Sequence, residues 1–495
     1  MAFTIGCDVG SQSIKAVLLD EQGTVLATAG HPYRMLHKES GWAEQDPQDY
    51  VLGLRAVVRQ AIAEAQIDPR DVTHIGLASQ VDGVVPLDSN LKPLRHAIIW
   101  LDRRAVEQAE FLRQRLGDER VFGLTGLNID ATHTAPKIMW LKEHEPDLYR
   151  EARYMPSVGS YLLAWLTGVV VQDHANASST LLYGITERDY SDPLLEAAGI
   201  DRSLLPPVLD AEEIAGELTP EACERLGLAR GCKAIVGTGD EHGACFGAGA
   251  VDSRVLVDIA GTAEPVGVAA SEAFFDSTGL VETHGYALRG MYLVENPGFV
   301  SGGNTLWLAN NILKSSQGDL FELAATSVPG ANGLTFLPAL SGAMAPRWND
   351  LLRGAFYGLG MNHTQADLAR AVIEGNCFAF ADIALRLQEM GLGGDTRIVG
   401  GGRRCNFARA TKATLTGMPI SRVASEETAA VGAAMLAALA AGFFKTAAEC
   451  AEAAVAISPE VQDPDTSMLA PLTDAYGRYR QLFDALEGTF GGAHV

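Results

Sequence analysis

The chain has 495 residues, of which 47% are hydrophobic and 20% are charged, and its 38 Lys and Arg against 61 Asp and Glu give a formal net charge of −23. This length is too great for one compact core and predicts two or three domains, while the composition excludes a dominant disordered region. The negative charge excludes nucleic acid as a partner, because its phosphate backbone would be repelled.

The sequence predicts a cytoplasmic protein. The segment from Met1 to Asp8 has no basic region and no long apolar run, so we expect no secretory signal. The seven cysteines lack the close pairs of a metal site, which argues against a zinc site and a disulfide framework. The uncharged segment Thr428–Phe444 is short for a membrane span and predicts a buried helix, so we expect no membrane partner. A homodimer is left open.

The N-terminal segment has the pattern of three strands. Phe3–Asp8, Ile14–Asp20 and Thr24–Ala27 are rich in β-forming residues, and turn residues separate them. We therefore predict an antiparallel meander.

Helical periodicity follows the meander. Apolar residues recur on one face from Pro47 to Ala65, which predicts a helix. The next apolar run, Ile75–Ser79, predicts a strand that leads to a loop around Asp82 and Gly83.

The turn after the first strand has the residues of a phosphate-binding turn. In the segment from Asp8 to Ser13, small residues let backbone N–H groups and hydroxyls approach phosphate oxygens, and Lys15 follows shortly. Asp8 at the end of a buried strand would be costly unless it held a cation or hydrogen-bond donors, which favours a role near Mg²⁺. An ordinary hairpin in which Asp8 caps a turn is the alternative.

A similar hairpin occurs near the middle of the chain. A strand from Val255 to Ala260 runs into a small-residue turn, and a second strand follows from Val266 to Ala269. Two such hairpins indicate a duplicated architecture with a nucleotide between the halves. We place the boundary between Ala248 and Asp252, which gives domains of residues 1–249 and 250–495.

Asp240 lies between glycines, after an apolar strand and before a small-residue helix. The surrounding segment is Ile235 to Ala244. Glycines on both sides let a substrate approach the carboxylate, as a base that accepts a hydroxyl proton requires. The alternative is a strand-to-helix turn with Asp240 as N-cap, which explains the Asp but not the glycines.

A third motif is the triple glycine within Thr396–Asn406, between a predicted strand and a predicted helix. Such a segment allows a flat group such as adenine or ribose to lie on the backbone, and a flexible loop is the alternative. No GxxxxGK[ST] occurs, which excludes a P-loop, and no strand-linked GxGxxG supports a dinucleotide fold.

Taken together and in order, these segments resemble the FGGY carbohydrate kinases, most of all the xylulokinase branch. The family's first signature is similar to Thr134–His144, and its second is similar to Gly354–Leu359 followed by Asp367–Glu374. The resemblance covers essentially the whole chain. It implies an α/β fold of two ribonuclease H-like domains, of the actin, hexokinase and heat-shock chaperone ATPase type, that flank a catalytic cleft. It also implies ATP, Mg²⁺ and a small sugar as ligands.

The resemblance assigns roles to individual residues. It makes Asp240 the catalytic base and places Asp8 near the transferred phosphate, both beside Mg²⁺. The implied phosphate-binding residues are Gly10, Ser11, Ser13 and Lys15, with Gly261 and Thr262 opposite. The implied nucleoside-binding residues are Gly302, Gly303, Gly401, Gly402 and Asn406. The implied sugar contacts are Val81, Asp82, Asp240, Glu241, Trp100, Asp102 and Arg103.

The chain departs from the family pattern at three places. Val81-Asp82 replaces the Met-His pair of typical xylulokinases, and Glu241 replaces an Asn. Gly261-Thr262-Ala263-Glu264 replaces a Gly-Thr-Ser-Gly turn. Because carboxylates would repel an anionic substrate, we expect a neutral pentulose, xylulose-like, ahead of a sugar alcohol, with aldonates well behind.

Two other functions compete with a sugar kinase. One is an ATPase of the actin or chaperone type that drives a conformational cycle, and the other is a catalytically silent sugar-binding protein. ADP release distinguishes the three functions. A sugar kinase would release ADP only when sugar is present, an ATPase would release it without sugar, and a silent binding protein would release none.

Overall fold

The computed structural model describes residues 1–489, and in them each half of the chain contributes a seven-stranded sheet. We call residues 1–249 the first half and the residues from 250 onward the second half. The strands of the first half are β1 (Phe3–Val9), β2 (Ser13–Asp20), β3 (Val25–Pro32), β4 (Glu44–Gln45), β5 (Val72–Ser79), β6 (Ala97–Ile98), β7 (Gln172–Asp173), β8 (Tyr183–Gly184), β9 (Asp189–Tyr190), β10 (Val208–Leu209), β11 (Ile214–Glu217), β12 (Lys233–Ile235) and β13 (Thr238–Gly239). Its helices are α1 (Pro47–Ala65), α2 (Val106–Leu116), α3 (Asp118–Thr125), α4 (Thr134–His144), α5 (Pro146–Glu151), α6 (Val158–Thr167), α7 (His174–Ser178), α8 (Asp192–Ala198), α9 (Pro220–Leu226) and α10 (Asp240–Gly247).

The second half has a similar mixture of strands and helices. Its strands are β14 (Val255–Ile259), β15 (Ala263–Ala270), β16 (Glu282–Gly285), β17 (Tyr292–Val300), β18 (Thr335–Leu337), β19 (Ala355–Tyr357), β20 (Asp395–Val399), β21 (Ile420–Val423) and β22 (Ile457–Gln462). Its helices are α11 (Gly302–Trp307), α12 (Gln317–Ala325), α13 (Gln365–Glu389), α14 (Asn406–Thr416), α15 (Thr428–Ala440), α16 (Ala447–Ala454) and α17 (Thr466–Leu486).

The two large sheets repeat one connection pattern. The first has the order β11-β12-β5-β1-β2-β3, with β13 as a seventh strand that also pairs with β5; β1, β2 and β3 are antiparallel and β5 is parallel to β1. The second has the order β16-β17-β15-β14-β20-β21-β22, in which β14, β15 and β17 are antiparallel and β20 is parallel to β14. A meander followed by a parallel strand thus occurs twice, which confirms the predicted meander, the second hairpin and the α/β fold with two similar domains.

Helix α1 shows why the sequence prediction succeeded there. Asp46 is its N-cap and accepts a hydrogen bond from Gln48 N, Pro47 has the fixed φ that suits a first turn, and Gln66 ends the helix in the left-handed region. The predicted bounds, Pro47 to Ala65, are confirmed. The buried face of the helix consists of Pro47, Tyr50, Val51, Gly53, Leu54, Val57, Val58, Ala61 and Ile62.

Helices α10 and α15 cross at very short range. A Cβ at Gly432 would lie 2.0 Å from the backbone oxygen of Gly243, so only glycine permits this approach. Helix α15 also lies on the first sheet, where Thr4 Oγ1 donates to Ala434 O at 3.1 Å. An element of the second half therefore completes the core of the first.

The segment Thr428–Phe444 was predicted to form a buried helix, and α15 confirms this, since eleven of its thirteen residues are buried. Within residues 1–489, no helix has the length and apolar character needed to cross a membrane. The seven cysteines all lie in this range, are buried, and are not joined by a disulfide.

Candidate active site

The turn from Gly10 to Ser13 is held by backbone and side-chain contacts. Gly10 N donates to Ser13 O at 3.2 Å, and Tyr33 donates its hydroxyl to Gly10 O. Gln45 Nε2 donates to Ser11 O at 2.7 Å. Gly10, Ser11 and Ser13 each keep exposed surface, so the turn is able to present N–H groups and hydroxyls to a phosphate.

Asp8 lies next to this turn with an unpaired carboxylate oxygen. Its Oδ1 is buried and has no hydrogen-bond partner in the described part of the chain. Burial, together with repulsion from the Asp240 carboxylate, raises the pKa of Asp8 to about 7. A bound divalent cation would compensate both the repulsion and the unpaired oxygen, so these residues fit Mg²⁺.

Lys15 is held by a residue of the second half. It lies opposite Asp8 in the register of β1 and β2, and its Nζ is 2.7 Å from Glu427 Oε2. Glu427 directly precedes α15. The pairing of Glu427 with Lys15 was not predictable from the sequence, because it depends on the packing of α15 against the first sheet.

Asp240 is the first residue of α10, directly after β13. Its Oδ1 accepts a hydrogen bond from Glu241 N at 3.0 Å, and burial raises the pKa of Asp240. Val81 lies beside it, since a Cβ at Gly239 would be 2.8 Å from Val81 Cγ1. Asp240 keeps part of its surface exposed. A partly exposed carboxylate with a raised pKa is suited to accept a hydroxyl proton near neutral pH.

Asp82 follows β5 and contacts two residues that the sequence analysis did not single out. It has a positive φ of 60°, which Asp tolerates better than most residues. Its Oδ1 lies 3.1 Å from His133 Nδ1, and its backbone oxygen accepts from Lys137 Nζ at 2.7 Å. Burial lowers the pKa of His133, but the charge and hydrogen bond of Asp82, together with the charges of Glu282 and Asp130, outweigh burial and raise the pKa to about 9. Sequence position alone could have suggested both residues, because His133 adjoins the signature Thr134–His144 and Lys137 lies within it.

Asp102 is buried inside the first half. Its Oδ1 accepts from Arg104 Nε at 2.8 Å, and its Oδ2 accepts from Ala43 N at 2.6 Å. Asp102 has no exposed surface, and these hydrogen bonds stabilise the loop; its contact with a sugar stays a prediction. Trp100, nearby, is half-buried.

Arg103 reaches toward the second half. Its guanidinium pairs with the carboxylate of Asp130, and its Nη2 lies 4.0 Å from Asp350 Oδ2. Since Arg103 already faces two protein carboxylates, it is not left unpaired to attract an anionic substrate.

The turn between β14 and β15 gathers four of the predicted nucleotide residues. Gly302 N donates to Gly261 O and Gly303 N donates to Thr262 O, both at 3.1 Å. A Cβ at Gly302 would lie 2.3 Å from Gly261 O, so glycine is required by packing at this position. The start of α11 therefore rests on this turn.

The triple-glycine segment joins the same region. Gly402 N donates to Ala260 O at 2.9 Å, directly before the β14–β15 turn. Gly401 is exposed, with open space where a side chain would be. Asn406 begins α14, and its Oδ1 accepts from Arg409 Nη2 at 3.1 Å. Gly401 thus offers bare backbone on which a flat group could lie.

Glu264, one of the departures from the family pattern, has a structural role. Lys412 Nζ lies 2.6 Å from Glu264 Oε1 and 2.6 Å from Asp258 Oδ2, and all three residues are buried. Lys412 pairs with both carboxylates and offsets part of their charge, which explains how this turn tolerates an acidic residue.

Glu241 faces acidic residues of the second half. Burial raises the pKa of Glu241 well above its ordinary value, and repulsion from Glu295 on β17 adds to this effect. His284 on β16 lies beside Glu295, with 3.7 Å between His284 Nε2 and Glu295 Oε1. Neither His284 nor Glu295 was predicted from the sequence, because only the antiparallel register of two distant strands brings them to α10.

Comparison with known proteins identifies related sequences. The models of the N-terminal and C-terminal domains of the FGGY family of carbohydrate kinases match residues 3–247 and 256–441. The chain is 26% identical over 492 residues to the xylulose kinase of Bacillus subtilis, which covers 99% of this chain and 97% of that protein. It is 31% identical over 440 residues to the xylulose kinase of Escherichia coli K12, with 88% and 90% covered. It is 30% identical over 464 residues to glycerol kinase 2 of Thermotoga maritima, with 91% and 92% covered.

Solved structures of related proteins share this fold. The xylulose kinase of Rhodospirillum rubrum has a TM-score of 0.91 at 26% identity, with 99% of this chain and 100% of that chain covered. The gluconate kinase of Lactobacillus acidophilus has a TM-score of 0.92 at 25% identity, with 99% of each chain covered. These matches confirm the predicted family. The chain therefore belongs to the FGGY family of carbohydrate kinases and is a phosphotransferase that uses an alcohol group as acceptor.

Proposed function

We propose that this kinase transfers the γ-phosphoryl group of ATP to a hydroxyl of a neutral sugar, with a pentulose such as D-xylulose as the substrate. The observation that carries the proposal is the grouping of Asp82, Asp240 and Glu241: in addition to burial, the charge of Asp82 raises the pKa of Asp240, and the charges of Asp240 and Asp82 raise the pKa of Glu241. Carboxylates accept hydrogen bonds from hydroxyls and repel anions. The xylulose kinases among the relatives support this substrate class.

In this proposal Asp240 accepts the proton of the attacking hydroxyl. Asp8, with its unpaired Oδ1, and Asp240 would hold Mg²⁺, which supplies charge neutralisation for the phosphates when it is bound. Phosphoryl transfer depends mainly on alignment and charge stabilisation, so both carboxylates act chiefly by position.

The nucleotide is assigned to the two hairpin turns and the glycine segments. The turn from Gly10 to Ser13, with Lys15, would lie along the phosphates from the first half, and the turn at Gly261 and Thr262 would lie along them from the second. The proposed nucleoside contacts are Gly302, Gly303, Gly401, Gly402 and Asn406. Their support is that Gly302, Gly303 and Gly402 donate hydrogen bonds to the β14–β15 turn or to Ala260 directly before it.

An aldonate is a poor fit to this pocket. A carboxylate substrate needs an unpaired cation, whereas Arg103 pairs with Asp130 and His133 pairs with Asp82. The proposed kinase therefore discriminates against gluconate, although a related structure is that of a gluconate kinase.

A sugar alcohol is the second candidate substrate. The donors beside Asp82 are already used, since His133 Nε2 lies 3.1 Å from Asn128 O and Lys137 donates to Asp82 O. A pocket that offers mainly acceptors also suits a polyol, because a polyol presents only hydroxyls.

Sugar-dependent ADP release tests the proposal. We would compare kcat/KM for D-xylulose, D-ribulose, arabinitol, erythritol, glycerol and gluconate at one ionic strength. Xylulose as the best substrate supports the proposal, and a polyol as the best substrate supports the second candidate. Gluconate as the best substrate, or ADP release without any sugar, contradicts both.

Three further assignments stay predictions. They are the cytoplasmic location, the homodimer and the division into domains of residues 1–249 and 250–495. Light scattering of the purified protein would give the oligomeric state. Limited proteolysis would locate the boundary, with cleavage expected between Ala248 and Asp252.

A further inference from the structure

Three buried side chains from both halves converge behind the proposed catalytic base. They are His242 in the first turn of α10, His284 on β16 and Glu295 on β17. One ligand atom of each lies within 4.8 Å of the other two. The imidazole rings of His242 and His284 are 5.7 Å apart and nearly perpendicular, at 79°.

The strand register explains how the second half builds its part of this cluster. Glu282 and Glu295 lie directly opposite each other in the antiparallel pair β16–β17. His284, two residues after Glu282, shares the same face of the sheet. His284 Nε2 is therefore 3.7 Å from an oxygen of each glutamate.

The cluster lacks the hydrogen bonds that buried polar groups normally have. Neither ring nitrogen of His242 has a protein partner within residues 1–489, and the same holds for His284 Nε2 and Glu295 Oε2. His242 and Glu295 are 1% exposed and His284 is 5% exposed. Several unpaired atoms that point into one small volume are unusual in a folded protein and indicate a missing ligand.

The chemistry of the donors selects the ligand. Two imidazoles and one carboxylate form a ligand set that Zn²⁺ adopts in sites with one open coordination position, whereas Mg²⁺ prefers oxygen ligands. A dication would also offset the repulsion between Glu295, Glu282 and Glu241. Zn–N bonds of about 2.0–2.1 Å place tetrahedral ligand atoms about 3.3 Å apart, so each pair of donor atoms, now within 4.8 Å, would need to approach by up to about 1.5 Å.

We propose that His242, His284 and Glu295 form a Zn²⁺ site that joins the two halves at the floor of the cleft. His242 belongs to the segment that the N-terminal family model matches, and the other two ligands belong to the C-terminal one. His242 is two residues from Asp240, so the ion would fix the first turn of α10, and with it the base, relative to β16 and β17. The cysteine spacing argued against a zinc site with cysteine ligands, and it carries no information about a site whose ligands are His and Glu.

The site is tested with protein that a chelator has stripped of metal and that contains no Mg²⁺. We expect one Zn²⁺ per chain by mass spectrometry of metal content, a higher Tm with Zn²⁺, and with Co²⁺ the intense visible absorption of a tetrahedral complex. H284A and E295Q should lose this binding at least tenfold. The matched control H363Q changes a half-buried histidine outside the cluster and should keep it.

Circular dichroism distinguishes lost binding from lost folding in these variants. The proposal is overturned if the folded wild-type protein binds no stoichiometric Zn²⁺, or if H284A and E295Q bind it as tightly as H363Q does. It is equally overturned if the two variants leave metal binding unchanged and only raise the KM of the sugar, because the cluster would then be a set of substrate contacts.

Discussion

His133 Nδ1 lies 3.1 Å from Asp82 Oδ1, although 51 positions separate the two residues in the sequence. His133 Nδ1 is also 2.9 Å from Ser179 O, and its Nε2 is 3.1 Å from Asn128 O. With acceptors at both nitrogens, the ring is held as an imidazolium. Typical xylulokinases have a His where this chain has Asp82. In this chain His133, the residue before α4, supplies an imidazole at this end of the cleft instead.

The pairing of Asp82 with His133 predicts that a substitution at Asp82 changes the kinetics with the sugar more than those with ATP. Asp82→Asn keeps a residue that tolerates positive φ but removes the charge, so we expect kcat/KM for the sugar to fall about 10- to 100-fold, as for a lost hydrogen bond to a charged group. The KM of ATP should stay within about twofold. The double variant with Asp82→Asn and His133→Gln should lose less kcat/KM, expressed as free energy, than the two single variants lose in sum, because the residues act as a pair. Unchanged sugar kinetics in D82N would remove Asp82 from the sugar site.

Asp240→Asn should fold normally and lose nearly all turnover. Removing a general base costs about 10²- to 10⁴-fold, and a misaligned hydroxyl adds to the loss. Initial rates of ADP release measure kcat, and thermal melting measures folding. Asp463→Asn, at an exposed position, is the matched control and should keep full activity. Turnover near the wild-type level in D240N would exclude Asp240 as the base.

Asp8→Ala should impair the use of MgATP more than the binding of sugar. Its unpaired Oδ1 and its position beside the Gly10–Ser13 turn place it on the phosphate side of the site. We expect the KM of MgATP to rise at least tenfold while the Kd of the sugar, measured without nucleotide, changes less than threefold. An equal loss of MgATP use and of sugar binding would instead indicate that Asp8 is a structural carboxylate.

Activity should fall as the pH drops through about 7. Asp8 has a pKa of about 7 and that of Asp240 is also raised, so acid protonates the groups that must hold Mg²⁺ and accept the proton. We expect kcat/KM to lose about tenfold per pH unit on this limb, and saturating Mg²⁺ to shift the limb to lower pH. A flat profile from pH 5.5 to 8 would contradict this.

The same carboxylate affects stability in the opposite direction. Because the pKa of Asp8 is raised above its ordinary value, the folded protein keeps a proton between about pH 4 and 7 that the unfolded chain has lost. This contribution to the free energy of unfolding therefore decreases as the pH rises through that window. Chemical unfolding without Mg²⁺ should show a weaker pH dependence in Asp8→Asn than in the wild type.

The crossing of α10 and α15 predicts a large loss of stability from one methyl group. Gly432→Ala places a Cβ against Gly243 O and should lower the free energy of unfolding by about 1–3 kcal/mol. Gly477→Ala is the matched control, because Gly477 lies in α17 with open space around it and should gain up to about 1 kcal/mol. Equal effects of the two substitutions would show that the helices separate freely.

Local patterns in the sequence were enough to predict the elements that position the site. Helix α1 begins and ends where its N-cap, proline and apolar spacing indicate, and the strand, glycine turn and helix around Asp240 follow the same rules. These features depend on neighbours within a few positions. The resemblance to the family then supplied the roles of residues that lie in such segments.

Residues that depend on distant pairing were not predictable in this way. His284 and Glu295 become neighbours only through the register of β16 and β17, and Glu427 reaches Lys15 only through the position of α15. The burial of Asp102 was unpredictable for a related reason, because the sequence does not reveal that Arg104 and Ala43 enclose its carboxylate.

The position of α15 also constrains the order in which the protein folds. Val17 and Leu19 of the first sheet are packed in one core with Ala430 and Ala434 of this helix. During synthesis these strands leave the ribosome long before α15 does, so one face of the first sheet stays uncovered until nearly the whole chain has been made. A fragment that ends before Thr428 is therefore expected to aggregate, even though it contains every strand of that sheet.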